Sequence, residues 1–178
     1  MYHAIHSCPK LVISAVQGAA IAGALGILSC SDVVIAEAKT VFCLSEVKIG
    51  LVPGIVGTFL IPRLGLSWFR YFAKTGIAFD SETAKPAGLI HEIADGKNKV
   101  EECVDKHIKL ALSASPAAIA KTNDLIGSIG YKLKEDALAE LLKDFNNEDA
   151  FRETDDGKYE VALDGEKVRE AARAMLAD

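Results

Sequence analysis

The sequence predicts an α/β fold, with strands concentrated in its first third and helices in its last. Three observations predict it. Short apolar runs rich in β-branched residues occupy positions 11–16, 32–36 and 40–44. A stretch dominated by glycine and alanine, 18–24, follows the first of them. From position 100 onward, apolar residues return at helical rather than alternating spacing. Strand, turn, helix and strand in that order imply a layered α/β arrangement, and periodicity by itself implies no function.

Residues 11–16 carry Val12, Ile13 and Val16 after Pro9 and read as a buried strand. The segment Gly18-Ala19-Ala20-Ile21-Ala22-Gly23-Ala24 is too rich in glycine for a strand interior. It reads as a turn feeding a helix over 23–29. Residues 32–36 and 40–44 read as the second and third strands. Gly50, Pro53 and Gly54 mark a loop, and helical character begins after Gly65. Asp80-Ser81-Glu82-Thr83 has the order of an N-cap turn, with Gly88 as a stop. Residues 89–93 read as a last short strand. A helix over 100–112 must end before Pro116, and another spans 117–129. Leu133, Ala137, Leu138, Leu141, Leu142 and Phe145 share one helical face. The tail from Arg152 reads as polar to Glu160 and weakly helical beyond. The expected division is 1–95 for the α/β core and 96–178 for a helical region.

Half of the 178 residues are apolar, enough to bury a core. The net charge of −5 and the lack of a dense basic patch disfavour nucleic-acid binding. An anionic substrate would therefore need local basic residues. Cys8, Cys30, Cys43 and Cys103 form no CxxC pair and read as free thiols of a reducing, intracellular compartment. The apolar stretch 11–28 contains Gln17, Ser14 and three glycines, so it does not read as a membrane span. The first residues lack the charged-then-apolar order of a signal peptide.

Two stretches go beyond generic α/β. The first is Ser14-Ala15-Val16-Gln17-Gly18-Ala19-Ala20-Ile21-Ala22-Gly23, with Cys30-Ser31-Asp32 further on. The second is Leu44-Ser45-Glu46-Val47-Lys48-Ile49-Gly50-Leu51-Val52-Pro53-Gly54, continuing through Gly57-Thr58 to Ile61-Pro62-Arg63-Leu64-Gly65. Together with Thr75-Gly76 and Ala87-Gly88-Leu89-Ile90 they resemble the enoyl-CoA hydratase/isomerase family of the crotonase superfamily. The resemblance implies a β-β-α spiral core, incomplete at its N-terminal side, followed by helices of the kind through which the family trimerises.

It also implies an acyl-CoA thioester as substrate, with no cofactor beyond the coenzyme A that the substrate carries. Family members polarise the thioester carbonyl with two backbone N–H groups, and Gly23 matches one of those donors. A glycine allows close approach of backbone to the thioester oxygen, and the start of a helix has unpaired N–H groups. One such donor supplies about 3 kcal/mol of transition-state stabilisation in a well-studied enzyme of another class. Glu46 matches the glutamate that many members use as acid and base. Ala22, Gly23, Pro53 and Gly54 fall at substrate-binding positions. Implied partners are an acyl-CoA and further chains, in a homotrimer or hexamer or a hetero-oligomer with paralogues. The mitochondrial matrix or cytoplasm would be the compartment.

The sequence also departs from the family. Hydratases commonly carry a second glutamate where this chain has Gly26, which has no side chain to move a proton. Ala22-Gly23-Ala24 stands where three glycines are frequent, and Phe59 and Leu60 make one wall more apolar. The strands that would bear the second N–H donor are expected to be missing.

Other candidates carry less. His3 and His6 share a helical face, but no third metal ligand is apparent, and Thr154-Asp155-Asp156-Gly157 lacks calcium-loop spacing. Lys167 matches only weakly a lysine that reaches CoA phosphates. Two functions of different class follow: an acyl-CoA hydratase or isomerase with a single glutamate, or a non-catalytic crotonase-like subunit of a larger assembly.

Overall fold

A computed structural model describes residues 1–130, 151–153 and 159–161. After a short helix α1 (Tyr2–His6), strand β1 (Ile13–Val16) leads through a corner at Gly18, φ 77°, into β2 (Ala19–Ile21). Helix α2 (Gly23–Ser29) follows, then β3 (Val33–Glu37) and β4 (Val41–Cys43). A 3-10 turn (Glu46–Ile49) and the long helix α3 (Gly54–Thr75) complete the second strand–strand–helix unit. Strand β5 (Ala78–Asp80), α4 (Ser81–Ala84), β6 (Glu92–Ala94), α5 (Lys97–Leu112) and α6 (Pro116–Gly130) come next. Strands β7 (Phe151–Glu153) and β8 (Tyr159–Val161) pair antiparallel.

Strands β1 to β6 form two three-stranded sheets, ordered β1-β3-β6 and β2-β4-β5. The first is wholly parallel, with Ile13 opposite Val33 and Ile35 opposite Glu92. In the second, β2 and β4 run parallel with Ile21 opposite Cys43, and β5 is antiparallel to β4. Each strand pair thus bends from one sheet into the other. The corners stack on one another: Val41 donates its N–H to the Gly18 carbonyl at 3.0 Å, and the buried Thr40 hydroxyl donates to the Val16 carbonyl at 3.3 Å. This is the β-β-α repeat that the family resemblance implies.

Several details differ from the sequence reading. Residues 19–21 are a strand, not part of a turn. A single glycine marks the corner before them, and small side chains suit a short segment paired to β4. Helix α3 begins at Gly54, not after Gly65. Its first half buries Val56, Leu60 and Leu64 at four-residue spacing, a stripe that Gly57 and Pro62 disguise. Gly65 is non-helical (φ 69°, ψ 162°) and joins two helical stretches, a conformation that a side chain would oppose. Strand β5 was not anticipated, and the last core strand is displaced to Glu92–Ala94. The tail holds paired strands β7 and β8 instead of a purely polar segment. The apolar stripe 133–145, the acidic turn 154–157 and Lys167 lie outside the described residues. The Asp80 cap is present: its carboxylate accepts the Thr83 N–H at 2.9 Å.

The core lies between α2, α3 and the sheets. Phe42, Phe72, Leu25, Leu44, Leu60 and Leu89 are fully buried. Phe72 stacks on Phe79 with ring centroids 3.8 Å apart, and Phe79 on Phe42 at 5.6 Å. All four cysteines are free, with Cys30 and Cys43 buried. No helix among the described residues is long and apolar enough to cross a membrane.

Candidate active site

Parallel pairing of β2 and β4 decides which loops meet. Ile21 and Cys43 are register partners and each ends its strand, so the next residues leave the sheet on the same side. After Ile21 comes the Ala22–Gly23 turn, and after Cys43 comes the segment carrying Glu46. The two are tied directly, because Ala22 donates its N–H to the Cys43 carbonyl at 2.8 Å. Two positions more than twenty residues apart are thereby brought to one edge of the sheet.

The turn is strained. Ala22 has φ 52° and ψ −119°, the only non-glycine with positive φ among the described residues. Such backbone costs about 1–3 kcal/mol and persists where the surroundings over-determine it. Here both sides of the residue are held: the N–H by Cys43, and the carbonyl by the Leu25 N–H at 2.9 Å. No side chain caps α2, and no hydrogen bond to a described residue takes up the N–H groups of Gly23 and Ala24.

Glu46 opens the 3-10 turn and is half-buried. Its Oε2 is buried without a hydrogen-bond partner. Burial raises the carboxyl above the usual glutamate range and outweighs the opposing effect of its own backbone hydrogen bond. Among the described residues no ion pair holds it, the neighbouring Lys48 included. Such a group can accept and release a proton closer to neutrality than a solvated glutamate. The Leu51 N–H donates to the Glu46 carbonyl at 3.0 Å and links the turn to the loop that reaches Pro53. Pro53 is buried at the N-cap of α3 and Gly54 is its first residue. Neither is hydrogen-bonded to the Gly23 turn, so the bonding network joins Ala22, Gly23 and the Glu46 segment but not this pair.

Tyr2 is the residue that the sequence reading missed. Its half-buried ring lies over α2, and its hydroxyl donates to the Gly23 carbonyl at 2.9 Å. A Cβ at Gly26 would stand 2.8 Å from the ring's Cε1. Phe59 flanks the ring at 5.7 Å between centroids, and His6 lies 5.9 Å from Phe59. An aromatic residue twenty-four positions before a buried glycine gives no periodic signal, and only packing reveals the pair.

Glu92 and His91 are engaged in structural contacts. Glu92 accepts from Lys106 at 2.6 Å and is 2.9 Å from His107 Nε2. These contacts, Lys106 first, hold its carboxyl at about 2 and fasten α5 to β6. The Val34 N–H donates to His91 Nδ1 at 2.9 Å, and burial, with Arg63 nearby, lowers that imidazole. Two open surface hollows, about 610 and 420 Å³, are lined by other residues, among them Glu102 and Lys106 in one and Tyr71 and Phe79 in the other. No group of three metal-ligating side chains occurs among the described residues.

Comparison with known proteins matches this geometry to a family. The family model for enoyl-CoA hydratase/isomerase matches residues 1–161. An enoyl-CoA hydratase of Alternaria alternata is 31% identical over 120 residues, which cover 67% of this chain and 40% of that protein. The mitochondrial enoyl-CoA hydratase of Pongo abelii is 34% identical over 63% of this chain and 39% of its own length. The crystal structure of an enoyl-CoA hydratase from Shewanella pealeana superposes with a TM-score of 0.69 at 31% identity, over 80% of this chain and 53% of that one. An enoyl-CoA hydratase/isomerase from Marinobacter aquaeolei gives 0.70 at 26% identity, again over 80% and 53%. The chain therefore spans about half the length of these relatives. With the family model matched over most of its residues and the spiral core in place, the chain belongs to the enoyl-CoA hydratase/isomerase family, in the crotonase superfamily.

Proposed function

We propose that this chain binds an acyl-CoA thioester and transfers a proton on its acyl group, in the manner of a hydratase or isomerase. The Gly23 N–H polarises the thioester carbonyl, and Glu46 is the single acid–base group. The observation that carries this reading is the Glu46 carboxyl: half-buried, raised by burial, with one oxygen unpartnered, on the strand end bonded to the Gly23 turn. Ala22, Gly23, Pro53 and Gly54 are the proposed substrate-binding residues. Coenzyme A enters only as part of the substrate. The compartment proposed is the mitochondrial matrix or cytoplasm, and the assembly a trimer, a hexamer or a hetero-oligomer. Light scattering tests the assembly.

One carbonyl donor of this kind is worth about 3 kcal/mol of transition-state stabilisation. The test is turnover of crotonyl-CoA and of a 3-enoyl-CoA by the purified chain beside Glu46→Gln. Loss of turnover in the variant supports the reading, and equal rates refute it. A second reading, a non-catalytic crotonase-like subunit, is favoured by Gly26, which leaves the helix beside the turn without a second carboxylate. Its signature is absence of both turnover and acyl-CoA binding.

A further inference from the structure

The chemistry assigned to Gly23 and Glu46 leaves Tyr2 unused, although it touches both Gly23 and Gly26 on α2. Its hydroxyl donates to the Gly23 carbonyl at 2.9 Å. Its ring occupies the space over Gly26: a Cβ there would meet Cε1 at 2.8 Å, Cζ at 2.9 Å and Oη at 3.2 Å. With the ring in this position a side chain at 26 has no room, and one there would displace the ring. Phe59 covers the ring's flank. Burial raises the phenol, with Cys30 and Glu46 adding to the rise, so it stays neutral and keeps its donor proton.

We propose that Tyr2 is a specificity-determining and positioning residue: its ring fills the volume over Gly26 beside the reacting carbons, and its hydroxyl holds the Gly23 turn. This rests on the function proposed for Gly23 and Glu46 and narrows it to a reaction type. A thioester whose oxygen sits at the Gly23 N–H brings C2 and C3 next to that turn. Water addition places hydroxyl on C3 and a proton on C2, and needs a water held at that point. Isomerisation moves a proton from C2 to the Glu46 carboxylate, shifts the double bond from C3–C4 to C2–C3, and returns the proton at C4. It consumes nothing. The Tyr2 ring, flanked by Phe59, fills the volume over Gly26 where a water would have to stand, and the phenol hydrogen is already engaged by Gly23, so its oxygen can only accept. The site is thereby biased toward proton relocation on 3-enoyl thioesters.

The experiment uses the full chain and the variants Tyr2→Ala, Tyr2→Phe, Gly26→Ala, Tyr2→Ala/Gly26→Ala and Glu46→Gln. Rates with crotonyl-CoA (hydration) and a 3-enoyl-CoA (isomerisation) are measured beside melting temperatures. Tyr2→Ala should raise the hydration-to-isomerisation ratio by about tenfold, which corresponds to about 1.4 kcal/mol between the two barriers. Tyr2→Phe should keep that ratio while lowering kcat more than it changes KM. Gly26→Ala should raise the melting temperature by about 2–4 °C only when Tyr2 is also alanine, because only then is there room for the better helix former. Equal effects of Gly26→Ala in both backgrounds overturn the proposal, and so does an unchanged ratio in Tyr2→Ala. If Glu46→Gln lowers both rates while Tyr2→Ala leaves the ratio alone, only the Tyr2 assignment falls. If Glu46→Gln changes nothing, or no variant turns over either thioester, the proposed function falls and the Tyr2 assignment with it.

Discussion

Replacing Ala22 with glycine should stabilise the protein, against the usual direction of such a change. Ala22 sits at φ 52°, ψ −119°, where its Cβ crowds the backbone. Holding a non-glycine residue there costs about 1–3 kcal/mol. Glycine removes that cost but frees the unfolded chain, a loss of about 0.4–1 kcal/mol. The difference is a net gain of about 1 kcal/mol, or a rise in melting temperature of about 2–4 °C for a chain of this size. Little packing is lost, since Ala22 is only half-buried and contributes one methyl. The native turn should persist, because hydrogen bonds to Cys43 and from Leu25 hold it on both sides. Urea denaturation followed by circular dichroism measures the change, with a higher midpoint expected at an unaltered slope. A midpoint equal to or below wild type would show that Ala22 is unstrained and that the turn is not a reservoir of backbone energy.

The remaining expectations concern charge and core. Burial raises the Glu46 carboxyl in the folded state, so its contribution is most favourable below the unfolded glutamate pKa and is lost as pH rises through the folded value. Glu46→Gln should therefore melt higher than wild type at neutral pH, with the difference shrinking as pH falls below that range, while proton-transfer rates drop about a hundredfold. Glu92 has the opposite sign. Its folded value of about 2 lies below the ordinary 4.5, so its stabilisation is present above about 4.5 and is lost as pH falls through about 2. Glu92→Gln should lower the melting temperature at neutral pH, by an amount that vanishes in strong acid, and equal deficits at all pH values would refute the pairing with Lys106. Phe72→Ala, which removes a fully buried ring stacked on Phe79 and Trp68, should cost about 3–5 kcal/mol in denaturant titrations.

Much of this protein is legible without coordinates. Strands β1, β3 and β4 announce themselves as β-branched apolar runs, and α2, α5 and α6 appear within a few residues of where helical spacing, Gly and Pro put them. Their signals are local: propensity, periodicity and breakers act over a handful of residues. Gly23 and Glu46 were singled out by motif, and nothing in their separate surroundings requires them to meet. Tertiary structure decided the rest. Residues 19–21 become a strand because β4 supplies their partner, and α3 starts at Gly54 because Val56, Leu60 and Leu64 find a core to enter. The Gly23 turn and the Glu46 segment adjoin because β2 and β4 run parallel with Ile21 against Cys43. Tyr2 comes over Gly26 because α1 packs on α2, a contact between a side chain and the absence of one. Pairing, register and packing are properties of distant segments taken together, and no local pattern in the chain encodes them singly.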